Sequence, residues 1–210
     1  MTATLTGLLE RSRQLGFLGP GPIETHLSHA MAFAEVAAPD PARALDLGAG
    51  GGLPGLVLAV AVWPGTAWTF VDANLRRTDF LRDAVGELGL DDRVTVLTER
   101  AEVVGRDAAH RGQYQLVVAR SFASPAVTAE CAAPLLTVGG QLVVSEPPSS
   151  ESTTRWPEAP LAELGFGPAA APVVDLPGGG VVHLAALDLV RPVPERYPRR
   201  VGIPTKRPLF

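Results

Sequence analysis

One stretch limits what this chain can fold into more than any other: RALDLGAGGGLPGLVLAVA, residues 43–61. A short apolar run, Arg43 to Leu47, enters a segment with five glycines between Gly48 and Gly55, and a second apolar run leaves it after Pro54. A buried strand, a glycine turn and a buried helix open a parallel α/β sheet, whose strands are covered on both faces and read as continuous apolar runs. The alternation continues. AWTFVDA (67–73), RVTVLTER (93–100), YQLVVARSF (114–122) and QLVVSE (141–146) read as further strands. GLVLAVAVW (55–63), RRTDFLRDAVGELGL (76–90) and SPAVTAECAAPLL (124–136) read as the helices between them, with Phe80, Leu81, Val85 and Leu88 on one face of the second. AAAPVVDL and VVHLAALDLV flank PGGG (177–180) and read as a closing hairpin, an antiparallel edge on a doubly wound sheet.

The flanks differ in character, and the spacing predicts three regions: 1–41, 42–190 and 191–210. Residues 4–15 form a helix with Leu5, Leu8, Leu9 and Leu15 inward. GFLGPGP breaks the chain, and 23–38 form a second helix with Ile23, Leu27, Met31 and Phe33 or Ala34 inward. The last region carries Arg191, Arg196, Arg199, Arg200, Lys206 and Arg207 against one acid, Glu195, on a chain of net charge −4. A basic tail on an acidic body points to a polyanionic partner. No apolar run is long and uninterrupted enough to span a bilayer, and the first residues lack a signal peptide's basic start and apolar centre, so the expected location is cytoplasmic. Cys131 is the one cysteine and reads as a small buried hydrophobe on a helix. His26, His29, His110 and His183 have no spacing that makes a metal site, and none is expected.

Ligands of such sheets lie at the carboxyl ends of the strands, near the switch in strand order. Two ligand classes compete for the glycine turn. Gly50, Gly52 and Gly55 satisfy the dinucleotide pattern GxGxxG, though its last glycine follows a proline. Asp46, Gly48, Gly50 and Gly52 satisfy Asp-x-Gly-x-Gly-x-Gly, which resembles the first motif of class I S-adenosylmethionine methyltransferases. Asp72, closing the second strand, is placed to accept two ribose hydroxyls, as an acid does in NAD enzymes too. Ala101 and Glu102, after the third strand, are placed to frame an adenine edge, while Glu102 also suits a helix N-terminus. Acids at three successive strand ends favour S-adenosylmethionine.

LDLGAGGGLPGLVLA, RRTDFLRDAVGELGL, RAEVV, VVARSFASP, PLLTVGGQLVV and the tail RYPRRVGIPTKRPL together resemble the small-subunit (16S) rRNA guanine-N7 methyltransferases, also called the glucose-inhibited division protein B family. The resemblance covers nearly the whole chain. Leu53–Pro54–Gly55, Arg120 to Ser124 and the tail are its specific parts. It implies a Rossmann-like class I methyltransferase sheet of seven strands, the last hairpin antiparallel, with an N-terminal helical extension. It implies S-adenosyl-L-methionine as cofactor, held around Asp46, Gly48, Gly50, Gly52, Leu53, Asp72, Ala101, Glu102 and Arg120. The substrate would be small-subunit rRNA or a ribosomal particle. Guanine N7 carries a lone pair and no proton, so the reaction needs alignment and exclusion of water rather than a general base. Arg120 is then the candidate for positioning substrate, or alternatively pairs with a neighbouring acid. The basic tail either follows rRNA phosphates or is an arm fixed to the domain by its prolines and Tyr197.

Departures from the family pattern gather on the substrate side. Glu146–Pro147 stands where the family has Lys-Gly, Thr25 and His29 stand where it has Arg and Asp, Val182 stands for Arg, and GFLGPGP replaces an Asn-Leu-Thr segment. They leave open a paralogous methyltransferase with another RNA or a small-molecule acceptor, or a non-catalytic cofactor-binding module.

Overall fold

The computed structural model describes residues 4–148, 155–177 and 179–210. Its centre is a seven-stranded sheet in the order β3-β2-β1-β4-β5-β7-β6. The strands are β1 Arg43–Leu47, β2 Ala67–Asp72, β3 Val94–Thr98, β4 Tyr114–Ala119, β5 Leu136–Glu146, β6 Val173–Asp175 and β7 Val181–Asp188. β1 to β5 run parallel, with Asp46 opposite Phe70 on one side and Val118 on the other. β7 enters antiparallel between β5 and β6. The doubly wound α/β sheet with an antiparallel end is therefore present, and β1 and β4 bracket its topological switch point.

Helices cover both faces. α3 (Gly55–Val57, widening into a π turn over Leu58–Val62) and α4 (Leu75–Glu87) lie over one face, above a core of Leu56, Trp68, Phe70, Phe80 and Leu81. α5 (Ala101–Val104), α6 (Pro125–Ala132) and α7 (Glu158–Glu163) lie over the other, above Leu45, Tyr114, Leu142, Trp156 and Phe166. Asn74 caps α4, its side chain accepting from the N–H groups of Arg76 and Arg77. The π turn departs from the single helix expected over 55–63. Trp63 donates its N–H to Leu58 and stacks against Trp68, which fixes the widened end in the core. β5 also starts earlier than expected, because the TVGG segment pairs with Leu189.

Two helices precede the sheet: α1 (Leu5–Gln14) and α2 (Ile23–Met31). Leu9 and Ile23 point inward and pack on Leu53 and Val57, while Leu8 joins the core of Leu56 and Phe80, burial worth about 1.5–3 kcal/mol for each large side chain. Leu15 and Met31, expected inward, are 44% and 40% exposed. Each lies at the end of its helix, and the turn after Met31 puts Phe33 into the core instead.

Residues 191–210 cross the α5–α6–α7 face and include a short helix, α8 (Ile203–Lys206). Arg111 holds the start of this arm, donating through Nη1 to the Tyr197 carbonyl at 2.7 Å and through Nη2 to those of Val193 and Pro194. Tyr197 donates its hydroxyl to Glu163. Arg199 meets Glu130, a carboxylate with no exposed surface, through its backbone N–H, Nε and Nη2. Among the described residues, no helix is long and apolar enough to cross a membrane.

Candidate active site

The glycine loop lies at the carboxyl end of β1, beside the end of β4. Gly48, Gly50 and Gly52 have φ of +77°, +52° and +98°. These values belong to the left-handed region that glycine enters without steric cost. A Cβ on Gly48 would stand 2.6 Å from Cδ2 of Phe122, so the bare residue lets Phe122 close over the loop. Ser121, next to Phe122, has φ +54° and turns Arg120 and Phe122 apart.

Asp72, at the end of β2, faces this loop and is 8% exposed. Its Oδ2 accepts from the Gly50 N–H at 3.0 Å and its Oδ1 from the Asn74 N–H at 2.8 Å. Arg77 Nη1 is 3.6 Å from Oδ2. A cleft runs from Gly48 and Asp72 past Glu99, Ala101 and Glu102 to Phe122, with Val71, Val127 and Cys131 supplying apolar wall. Cys131 is buried there, and burial pushes its thiol well above the usual range. Thr205 of the arm closes one side.

Asp46, the acid of the motif, belongs to β1. It is wholly buried beneath the loop, and its Oδ2 accepts the Gly55 N–H at 2.7 Å. A Cβ at residue 55 would sit 2.5 Å from that Oδ2 and 2.6 Å from the Phe70 ring, so glycine after Leu53–Pro54 is a packing requirement. Asp46 Oδ1 has no hydrogen-bond partner among the described residues. Burial raises its carboxyl to about 7; the Gly55 N–H works against this, Asp72 adds to it and Arg120 opposes it. Leu53 is buried, packing with Leu9 and Ile23, and also lines a hollow on the N-terminal side of the loop.

Glu102 lines the cleft but is engaged by the arm: its Oε1 accepts the Gly202 N–H at 2.8 Å. Ala101, beside it, keeps an apolar surface on the cleft.

Arg120 follows β4 and is not hydrogen-bonded to an acid among the described residues. Its Nη2 donates to Nδ1 of His26 at 3.1 Å, and His26 Nε2 lies 3.2 Å from the Gly19 carbonyl. A carbonyl only accepts, so Nε2 carries the proton and Nδ1 is the acceptor. Burial and the Arg120 charge hold His26 below its ordinary value, and the same two causes push His29 down to about 4. Arg120 and Ser121 line both the hollow under Phe17–Gly19 and a second cavity bounded by His29, Phe122, Glu146, Arg155 and Trp156. The site thus joins three spaces around Arg120 to Phe122.

The sequence assigns His26 no site and gives Phe122, Arg155 and Thr205 no assigned place; nothing in local spacing links residues so far apart in the chain. Thr25 is exposed, and Val182 is buried in the α3–α4 core. Of the tail cations, Arg191, Arg196 and Arg199 bond to Ala162, Glu163 and Glu130, and all but Arg199 are exposed. Among the described residues, no group of three or more His, Cys, Asp or Glu could hold a metal.

Known proteins resemble this chain in sequence and in fold. A family model described as rRNA small subunit methyltransferase G matches residues 21–155. Ribosomal RNA small subunit methyltransferase G of Deinococcus radiodurans is 41% identical over 169 residues, 80% of this chain and 66% of that protein. The protein of the same name from Roseiflexus castenholzii is 38% identical over 170 residues, 81% of this chain and 72% of its own. The chain thus spans about two thirds of the first relative's length. In fold, it is similar to a SAM-dependent O-methyltransferase from Thermotoga maritima, with TM-score 0.59 at 16% identity over 88% of this chain and 71% of that one.

Proposed function

The chain belongs to the rRNA small subunit methyltransferase G family, and from that premise we propose that it moves a methyl group from S-adenosyl-L-methionine to N7 of a guanine in small-subunit rRNA. The observation that carries the reading is Asp72, held by two backbone N–H groups at the mouth of an apolar cleft beside the glycine loop. An acid for vicinal hydroxyls next to an apolar slot for a base fits an adenosine. Asp72 would hold the ribose, Val71, Ala101 and Val127 would flank the adenine, and the Gly48–Gly52 backbone would lie against the amino-acid end. When bound, the cofactor supplies a methyl group made electrophilic by a sulfonium.

The chain's own part is placement. Phe122 closes over Gly48 and screens the junction from water. Arg120, fixed by His26, sets a donor between the loop hollow and the second cavity, where the acceptor base would enter. In this reading residues 1–41 form a helical wall carrying His26, residues 42–190 the catalytic sheet, and residues 191–210 an arm that closes the cleft through Gly202 and Thr205 and offers Arg200, Lys206 and Arg207 to rRNA phosphates. Cytoplasm is the compartment such a substrate requires.

The test compares nucleosides of small-subunit rRNA by mass spectrometry in cells with and without this gene and lacking any other copy. Loss of one 7-methylguanosine is expected, and unchanged nucleosides would refute the proposal. Replacing Arg200, Lys206 and Arg207 with Gln should weaken binding to the small subunit and flatten its salt dependence, by roughly 0.7–0.9 in log–log slope for each phosphate no longer neutralised. An unchanged slope removes the arm from the RNA interface.

A further inference from the structure

The second cavity holds an acid that the reaction as described does not use. Glu146 ends β5, one strand over from Arg120, and its side chain is 2% exposed. Arg155 covers it, with Nε 2.5 Å from Oε2. Two other residues of the same wall carry buried polar atoms without partners among the described residues, Trp156 Nε1 and His29 Nδ1. The cavity adjoins the loop hollow through Arg120 and Ser121. It is therefore a polar-lined space with a carboxylate at one end and the methyl-transfer junction at the other.

We propose that Glu146 reads the Watson–Crick edge of the acceptor guanine, accepting from its N1–H and N2–H groups, with Arg155 as the counter-cation that keeps the carboxylate in place between turnovers. The proposal rests on the guanine-N7 reading above. Guanine presents N7 and O6 on one edge and two adjacent donors, N1–H and N2–H, towards the other. A base with N7 towards Arg120 and Phe122 turns its donor pair to the far wall. A carboxylate is acceptor-only, with about four lone-pair positions, so the Arg155 bond leaves room for both donors. Adenine offers an acceptor at N1 and mismatches; hypoxanthine lacks the N2 amine.

The same contact strengthens during reaction. The N7 lone pair forms the new bond to the methyl carbon, the carbon–sulfur pair stays with sulfur, and the positive charge passes to the purine ring. N1–H and N2–H become stronger donors as that charge develops. A carboxylate already on them stabilises the transition state more than the ground state, which is the condition for raising kcat rather than only lowering KM.

The test has a binding arm and a turnover arm. The protein is titrated with guanosine and inosine 5′-monophosphates at millimolar concentrations, following tryptophan fluorescence without cofactor. The wild type is expected to prefer guanosine monophosphate by about 10-fold, and Glu146→Gln to bring the ratio close to one. Because that change leaves Arg155 without its partner, the double variant Glu146→Gln/Arg155→Gln is measured too and should show the same absence of preference. On small subunits, Glu146→Gln should lower kcat by about 10-fold or more with cofactor affinity unchanged. Equal or undetectable binding of the two nucleotides by the wild type, or a preference that survives both variants, overturns the proposal; a buried ion pair that merely ties down residue 155 would move stability and leave the ratio alone. A wild type that keeps the nucleotide preference but methylates no small-subunit guanine would refute the proposed function and leave the guanine pocket standing.

Discussion

The Arg199–Glu130 contact gives the sharpest stability test, because the arm's attachment depends on it. Glu130 lies on α6 with no exposed surface and takes three side-chain hydrogen bonds from Arg199, at 2.6, 2.9 and 3.1 Å, and a fourth from its backbone N–H at 2.8 Å. Arg199→Met keeps the stem and the backbone bond but removes the guanidinium, leaving a buried carboxylate with one donor. Breaking a buried pair on one side costs about 3–5 kcal/mol. The Arg199 side chain is 26% exposed, so water reaches the gap and the lower end applies, about 3 kcal/mol. For a chain of 210 residues that is a fall in Tm of roughly 6–12 °C. Urea unfolding should show the midpoint falling with the slope preserved. Glu130→Gln/Arg199→Met removes the unpaired charge and should recover more than half of the loss. A loss below about 1 kcal/mol in the single variant, or a double variant no more stable than the single, would refute the argument that the buried charge is what matters. Because Gly202 and Thr205 reach the cleft through the same arm, the single variant should also bind cofactor several-fold more weakly by calorimetry.

Asp72→Asn keeps the shape but loses the charge, and should weaken cofactor binding by about 10-fold or more in calorimetry, since charge-assisted bonds are worth about 1.5–3 kcal/mol; unchanged affinity would remove the ribose from Asp72. Gly55→Ala drives a Cβ against Asp46 and Phe70 and should cost about 1–3 kcal/mol in denaturant unfolding, with a result near zero showing that the α3 contact gives way freely. His29 titrates near 4 in the fold against 6.5 in the unfolded chain, so the native state favours the neutral ring. The stability of the wild type relative to His29→Gln should therefore be constant above pH 6.5 and fall as pH drops from 6.5 towards 4. A difference that stays flat across that window would show that His29 is not held neutral.

The sheet was legible because its signal is local. Buried parallel strands are short apolar runs, and each is followed by a helix whose inward face repeats at helical spacing, as Phe80, Leu81 and Val85 do on α4. The glycine turn was legible as a turn, and Asp72 as an acid at a strand end. What each acid touches was not legible, because that depends on atoms distant in the chain. Asp46 reads as a ligand acid by motif, and the fold adds that one of its oxygens accepts the N–H of Gly55, at the head of the helix after the turn. Glu102 reads as an adenine contact, yet it also holds the arm a hundred residues later in the chain. The arm itself shows both sides: its prolines and Tyr197 suggested a fixed segment and its charge suggested RNA. Only the placement of Glu130, Glu163 and Arg111 separates the cations that fix it from those left at the surface.

Arg120 joins these levels. A guanidinium stays charged under any ordinary condition, and burial here only lowers its margin. Had it formed a close ion pair with Asp46, its donors would be spent and its charge cancelled. Instead, Asp46 is pulled down against Gly55 and pushed towards neutrality by burial, while Arg120 is held by a histidine that burial and Arg120 itself keep neutral. The proton on Nε2 is pinned by the Gly19 carbonyl in GFLGPGP, the segment between the first two helices, so Nδ1 can only accept. The guanidinium plane is thereby fixed without losing its charge, and Nη1 has no partner within the described residues. A fixed, charged donor between two hollows would suit the orientation of an oxygen-bearing acceptor in the proposed transfer, with no proton to move. The helical extension therefore supplies, through His26 and Gly19, the acceptor that orients Arg120.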